Sequence, residues 1–500
     1  MGIKIGGQIE KVNGKEMNYS EFEQRYLAKN QPVVLSGLMD DWRACKDWVT
    51  KQGQPNLHFF STHFGISKVQ VTDCDTRDFT DQKRVEMSVS DFLKQWLENP
   101  TQENSDGANN EANGMSVLYL KDWHFVKEYP EYLAYRTPQI FCDDWLNLYL
   151  DSYRMHTDPD TYQKDNEISC SDYRFVYMGA KGSWTPLHAD VFRSYSWSAN
   201  VCGKKKWLFL PPSQHHLVFD RHANLYFPSN LKNCVYNIFD DVSETNFPGF
   251  KKASHQLSGW NALKNKMKSS LCLVDGIIKF IIWKERKKDE LDDTISINHN
   301  WFNAYNLSWV WDLLLRDYNE AKEYIEDIRD ICDDFESLCQ RNLAANTGMN
   351  FYDFFTFISR FALVNVVQLF HLHNENSMWN STSTAQHLVL NLVSIRKIAI
   401  NMKTVGVSAA DCGFFMDLKE TLDDPKFLKF CTGMCQTYGM IHKQTKCSCD
   451  MKKALMVDFG GFGSSISTPE DLVKFIDYAA QKLGGTCSEE NIMLSKFDDG

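Results

Sequence analysis

Residues 172–212, DYRFVYMGAKGSWTPLHADVFRSYSWSANVCGKKKWLFLPP, crowd several short apolar runs between Gly and Pro breaks. Within SYSWSANV, Tyr195, Trp197, Ala199 and Val201 alternate with Ser and Asn. A period of two is the mark of a strand with one buried face. Many short strands punctuated this way close into a barrel or jelly roll rather than a helical bundle. SVLYL at 116–120 precedes the block, and DDTISINHNW at 292–301 returns to it after a long gap. Upstream, Phe22, Tyr26 and Leu27 have helical spacing. PVVLSGL at 32–38 then reads as a short buried strand stopped by Ser-Gly.

After about residue 305 the period changes. Trp311, Leu314, Leu315, Tyr318, Ile325, Ile328 and Phe335 fall on one helical stripe. Further helices are predicted at 350–372, 384–403 and 469–483, the last opened by a cap and a proline in STPEDL. The expected plan is β-rich α+β. It has an N-terminal cap region over 1–115, with a disordered insert near 99–114 that lacks large apolar residues. A jelly-roll barrel over 116–304 and a helical region over 305–500 follow.

The 500 residues carry a net charge of −11, which gives no global attraction to nucleic acid. Fifteen cysteines in irregular spacing are no disulfide scaffold, and the N-terminal stretch has no apolar core of signal-peptide length. The expectation is a reducing cytoplasmic or nuclear setting. The most apolar run, 351–370, contains Asp353 and Arg360 and reads as a buried helix rather than a membrane span.

Within TPLHADVFRSYSW, His188 and Asp190 lie two apart on a strand and so project to one face. Two histidines and one carboxylate hold Fe(II) on one side and leave three positions open. An isolated His-x-Asp is weak, but PVVLSGLMDDW, LYLKDWHF, the 172–212 block and DDTISINHNW accompany it in order over most of 20–310. In these motifs the chain resembles the jumonji-C family of 2-oxoglutarate and Fe(II) oxygenases, most of all its jumonji-domain-containing protein 4 branch. The fold implied is a double-stranded β-helix of the cupin type.

The resemblance makes His188 and Asp190 iron ligands and Lys205 the cation for the distal carboxylate of 2-oxoglutarate. Thr185 is a hydroxyl meeting the same carboxylate, and Tyr119 and Asn298 are supporting positions. Trp197 and Trp207 read as core. The implied reaction couples oxidative decarboxylation of 2-oxoglutarate to hydroxylation of a side chain. The implied partner is a protein, a translation termination factor modified on lysine, with neither nucleic acid nor membrane engaged directly. Histone-lysine demethylation fits less well, because no reader module is visible. A catalytically inactive binding module is the alternative.

The alternative arises because the third ligand is missing. In this branch it is the histidine of an SGW-x-H turn. Here SGW at 258–260 is followed by Asn261 and Ala262, and counting back from DTISINHNW puts Arg286 in the slot. The segment 261–290 has seven Lys and one Arg against two Asp and two Glu. It reads as foreign sequence without the expected strand and turn, so 255–290 is anomalous. His255, His299, His215, His216 and His222 are the substitutes to consider. A separate group, Cys431, Cys435, His442, Cys447 and Cys449, has the donors for zinc without a standard spacing.

Overall fold

The computed structural model describes residues 5–78, 81–98, 116–155, 172–188, 190–210, 257–261, 270–274, 278–281, 292–375, 378–405, 415–443, 451–457, 459, 461–463, 465–488 and 492–494. The 99–114 insert lies outside them. The chain divides into two compact units. One is formed by 1–137 with 173–300, the other by 138–172 with 301–500.

The first unit carries the strands β1 (Ile5–Gly7), β2 (Glu10–Asn13), β3 (Val33–Ser36), β4 (Lys68–Asp78), β5 (Asp81–Ser88), β6 (Leu118–Trp123), β7 (Arg174–Gly179), β8 (Thr185–His188), β9 (Tyr195–Cys202), β10 (Lys206–Leu210), β11 (Leu257–Asn261), β12 (Ser270–Val274), β13 (Ile278–Ile281) and β14 (Thr294–Trp301). They form a nine-stranded sheet, β2-β3-β12-β9-β14-β7-β6-β4-β5, and a five-stranded sheet, β1-β11-β10-β13-β8. From β7 to β10 the chain switches sheet at every strand, and it does so again from β11 to β14. That alternation is the jelly roll of the cupin fold.

The strand predicted at 195–201 forms as β9, but it lies between β12 and β14 in the nine-stranded sheet with seven of its eight residues buried, so it is covered on both faces rather than half-buried. Phe22, Tyr26 and Leu27 are buried as their spacing predicts, although the short helix Tyr19–Phe22 continues as a π-turn over Glu23–Leu27. The anomalous segment departs from expectation. It does not lack strands: β12 pairs with β3 and β9, and β13 pairs with β8 and β10, so it closes both sheets. Its apolar runs SLCLV and IKFI supply the strand residues. The Lys-rich stretches around them, 262–269 and 282–291, lie outside the described residues.

The second unit contains α1 (Trp145–Leu150), α2 (Leu307–Tyr324), α3 (Phe335–Thr347), α4 (Phe351–Glu375), α5 (Ser383–Val405), α6 (Pro425–Ile441) and α7 (Pro469–Lys482). The predicted stripe from Trp311 to Phe335 is not one helix. It breaks after Tyr324 into a 3-10 turn, Glu326–Ile331, before α3 begins.

Helix α4 is long and apolar enough to cross a membrane by length and composition, but most of it is buried inside the unit. The two charges of its apolar run 351–370 are both accounted for. Asp353 caps the first turn, where its carboxylate accepts from the Asn350 N–H. Arg360 donates to the Tyr149 hydroxyl and lies 3.9 Å from the Tyr153 ring centroid. A second polar knot forms where Asp143, 1% exposed, accepts from Trp145 Nε1, Asn303 Nδ2 and His387 Nε2 at 3.1, 2.8 and 3.3 Å.

Helix α7 starts as its sequence announces. The Thr468 hydroxyl accepts from the Asp471 N–H, the Asp471 carboxylate accepts from the Thr468 N–H, and Pro469 fills the first helical position. Thr468→Ala should therefore lower stability by about 1 kcal/mol. The denaturant midpoint should fall with an unchanged slope, and an unaltered midpoint would show the cap to be idle.

Candidate active site

The site grows from the turn between β9 and β10. Gly203 has φ +73°, and a Cβ there would come within 1.9 Å of the Asp293 carbonyl oxygen, so only glycine makes this turn. The Asn200 side-chain amide donates to the Gly203 carbonyl at 2.7 Å. The turn delivers three consecutive lysines to different environments. Lys204 pairs with Asp292 near the surface, while Lys205 is 2% exposed.

The Lys205 ammonium donates to the Ser296 hydroxyl on β14. It also sits 5.8 and 5.4 Å from the ring centroids of Tyr119 on β6 and Tyr177 on β7. Burial, with the Lys121 ammonium adding to it, brings the Lys205 pKa down to about 7. Burial holds both phenols protonated, so each offers a hydroxyl donor. The Tyr177 hydroxyl donates a hydrogen bond to Asp122 Oδ1 at 2.6 Å, whereas the Tyr119 hydroxyl is buried and has no partner among the described residues. The Thr185 hydroxyl, at the start of β8, is likewise buried without one. Trp184 packs with Tyr119 and Trp207 in one apolar cluster, and its N–H donates to Cys74 Sγ at 3.4 Å, which fixes the start of β8 there. Asn298 shares the β14 face with Ser296, two residues away, and accepts from the Ser198 hydroxyl at 2.6 Å.

His188 ends β8, and Asp190 lies just beyond it, at the start of a 3-10 turn. Their Nε2 and Oδ1 atoms are 3.6 Å apart, too far for a hydrogen bond and close enough to share a cation. Among the described residues no third His, Cys, Asp or Glu completes a metal site with them. β13 pairs with β8, and the residue in register with His188 is Lys279.

His299 does not replace the missing donor. It lies on the opposite face of β14 from Ser296 and Asn298, stacked 3.9 Å from Trp197 and joined to the Tyr135 hydroxyl at 2.5 Å. His215, His216, His222, His255, Ala262 and Arg286 lie outside the described residues. Among the described residues no group of three His, Cys, Asp or Glu side chains is arranged to hold a metal. That statement includes Cys431, Cys435 and His442, while Cys447 and Cys449 are not described. His442 Nε2 is 3.1 Å from His387 Nδ1, and burial with the neighbouring His387 pushes its pKa down to about 4.

Three residues around Lys205 escaped the sequence reading, Ser296, Lys121 and Tyr177. Ser296 and Lys121 each lie two residues from a named position, Asn298 or Tyr119, so strand alternation alone could have found both.

The donors around Lys205 suit a carboxylate. They are a buried ammonium and, on the adjoining Tyr119, a buried hydroxyl without a partner among the described residues; the Thr185 hydroxyl at the start of β8 is orphaned in the same way, and such groups are costly unless a ligand satisfies them. For iron the fit is incomplete, with His188 and Asp190 present and a lysine at the register position beside His188.

Residues 19–259 match the model of the Cupin-like domain family. Over 483 residues the chain is 55% identical to a protein of Arabidopsis thaliana named Arginine-specific demethylase JMJ20, covering 96% of this chain and 98% of the relative. It is 35% identical over 353 residues to the 2-oxoglutarate and iron-dependent oxygenase JMJD4 of Danio rerio, covering 70% of this chain and 73% of that one. Against the protein of the same name from Homo sapiens it is 31% identical over 342 residues, with 68% and 72% covered.

Proposed function

The chain belongs to the cupin-like, JMJD4-type family of 2-oxoglutarate and iron-dependent oxygenases, and from that premise we propose that its pocket binds 2-oxoglutarate for the oxidation of a basic side chain in a protein. The cofactors expected of the family are 2-oxoglutarate and Fe(II). The observation that carries the reading is the buried Lys205 ammonium with the unpartnered Tyr119 and Thr185 hydroxyls. Lys205 pairs with the distal carboxylate, and Tyr119 and Thr185 donate to its oxygens. The apolar wall of Trp184, Trp207 and Phe209 keeps water from competing for those bonds. Asn298 and Ser296 hold the β14 side of the pocket.

Fe(II) supplies the oxygen chemistry when a complete site holds it. In this chain His188 and Asp190 would be its ligands. The Lys279 register favours a second reading, a module that binds cosubstrate and protein partner without turnover.

The first target is lysyl hydroxylation in a translation termination factor, in the cytoplasm or nucleus, with no nucleic acid or membrane as direct partner. The name of the 55% identical relative favours methylarginine demethylation as the competitor. Mass spectrometry of termination-factor and methylarginine peptides, incubated with 2-oxoglutarate and Fe(II), separates the two. The first target requires a lysine that gains one oxygen atom. Loss of a methyl group as formaldehyde from arginine would assign the second.

Tyr119→Phe tests the pocket itself. It removes a hydroxyl that is orphaned in the free protein, so the free fold should hold or gain stability while 2-oxoglutarate affinity falls by about 1 kcal/mol, roughly fivefold. Calorimetry beside a thermal melt reads both, and unchanged affinity would remove Tyr119 from the pocket.

A further inference from the structure

Lys121 lies two residues after Tyr119 on the same face of β6, and it is buried. Its ammonium sits 5.4 Å from the centroid of the Tyr119 ring, the ring that Lys205 also approaches. It donates to Gln82 Oε1 at 3.0 Å. Gln82 is fixed in turn, its amide donating to the Cys74 and Trp184 carbonyls at 3.3 and 3.5 Å. The strand itself is adjusted at this point. Asp122 has φ +56°, and the β6–β7 register shifts between Leu120 and Trp123. The Asp122 carboxylate and the Cys74 thiol are the charged and titratable groups that also feel the Lys121 ammonium.

We propose that Lys121 is a second cation of the cosubstrate pocket, a positioning residue that sets how many protons the pocket takes up when a dicarboxylate binds. The inference rests on reading the Lys205 pocket as the 2-oxoglutarate site.

Two ammonium groups gathered around one buried ring each raise the cost of charging the other. Burial is the larger reason that Lys205 titrates near pH 7, and the Lys121 charge adds to it. The other groups facing Lys205 are the Ser296 hydroxyl from β14 and the Tyr119 and Tyr177 phenols, with Asp122 behind Tyr177. When the distal carboxylate arrives, a neutral Lys205 amine takes one proton from solvent and becomes the ammonium that pairs with it. No bond other than the N–H forms, and nothing is oxidised. The Lys121 charge, which holds the Lys205 pKa down in the free protein, faces the same anion.

Above neutral pH, binding must therefore recruit a proton. Affinity should fall with rising pH, approaching tenfold per pH unit, or about 1.4 kcal/mol. Below that range Lys205 is already charged and affinity should be flat.

The test is calorimetric titration of the full chain with 2-oxoglutarate, in buffers of different ionisation enthalpy, across the neutral to mildly alkaline range. The wild type should take up a fraction of a proton that grows with pH. In K121M the uptake at any one pH should be smaller and the fall in affinity should begin at higher pH, because Lys205 keeps its proton longer. K121R, which keeps the charge, should follow the wild type. K121Q, which keeps a donor for Gln82, should follow K121M and guards against misfolding of the methionine variant. Wild-type uptake and slope retained in both K121M and K121Q would overturn the proposal. No 2-oxoglutarate binding by the wild type would instead overturn the assignment of the pocket, and this inference with it.

Discussion

Lys279→Ala should change little, whereas Lys279→His should raise succinate release from 2-oxoglutarate about a hundredfold over the chain as it stands. The expectation follows from register. β13 runs antiparallel beside β8, and Lys279 is opposite His188. A protonated lysine has three donors and no lone pair, so it cannot ligate a metal, and its charge opposes a dication. Loss of an outer-shell partner of a ligand already costs 10–100-fold in metal affinity or activity, so loss of a ligand should cost at least the upper end of about that range. Succinate detection and a Mn(II) titration of both proteins check it. A chain carrying an SGW-x-H strand in place of 255–290 provides the fully repaired comparison. Comparable turnover by the unaltered chain would sink the idea, and His255 would become the residue to mutate. His299 would not, since it stacks on Trp197 on the other face of β14.

Lys205→Ala should weaken 2-oxoglutarate binding by about 1.5–3 kcal/mol, the scale of a hydrogen bond to a charged group, or roughly 10–150-fold. An unchanged dissociation constant would rule out the anchoring role. The same residue leaves a mark on stability. Its pKa falls on folding from the usual 10.5 to about 7. Between those values the unfolded chain holds one more proton than the folded chain, so this group makes stability rise with pH across the window. Lys205→Met should remove that part of the slope, which urea midpoints measured from neutral to alkaline pH would reveal. A variant with the wild-type slope would show that Lys205 is charged in the free protein.

Much of the fold was legible because it is written locally. The alternation in 195–201 specifies β9, the caps and apolar periods specify α4, α5 and α7, and Gly203 specifies the turn that buries Lys205. His188-x-Asp190 announced itself through two-residue spacing at the end of a strand. The stripe from Trp311 to Phe335 misled because periodicity reports a face and not continuity. Nothing in that spacing marks the break after Tyr324.

The tertiary structure decided everything that depends on which strands become neighbours. Only pairing shows that SLCLV and IKFI, lodged in a Lys-rich stretch, close both sheets, and that Lys279 is the residue opposite His188. Only the order β14-β7-β6 in the sheet brings Lys121 and Lys205 to the Tyr119 ring and Ser296 to Lys205, and leaves the Tyr119 hydroxyl buried without a partner among the described residues. Only the helical packing sets Asp143 among donors from Trp145, Asn303 and His387, far apart in the chain. The physical reason is the same in each case. Propensity and period act over a few residues, whereas register, burial and the charge a buried amine can keep are set by partners distant in sequence.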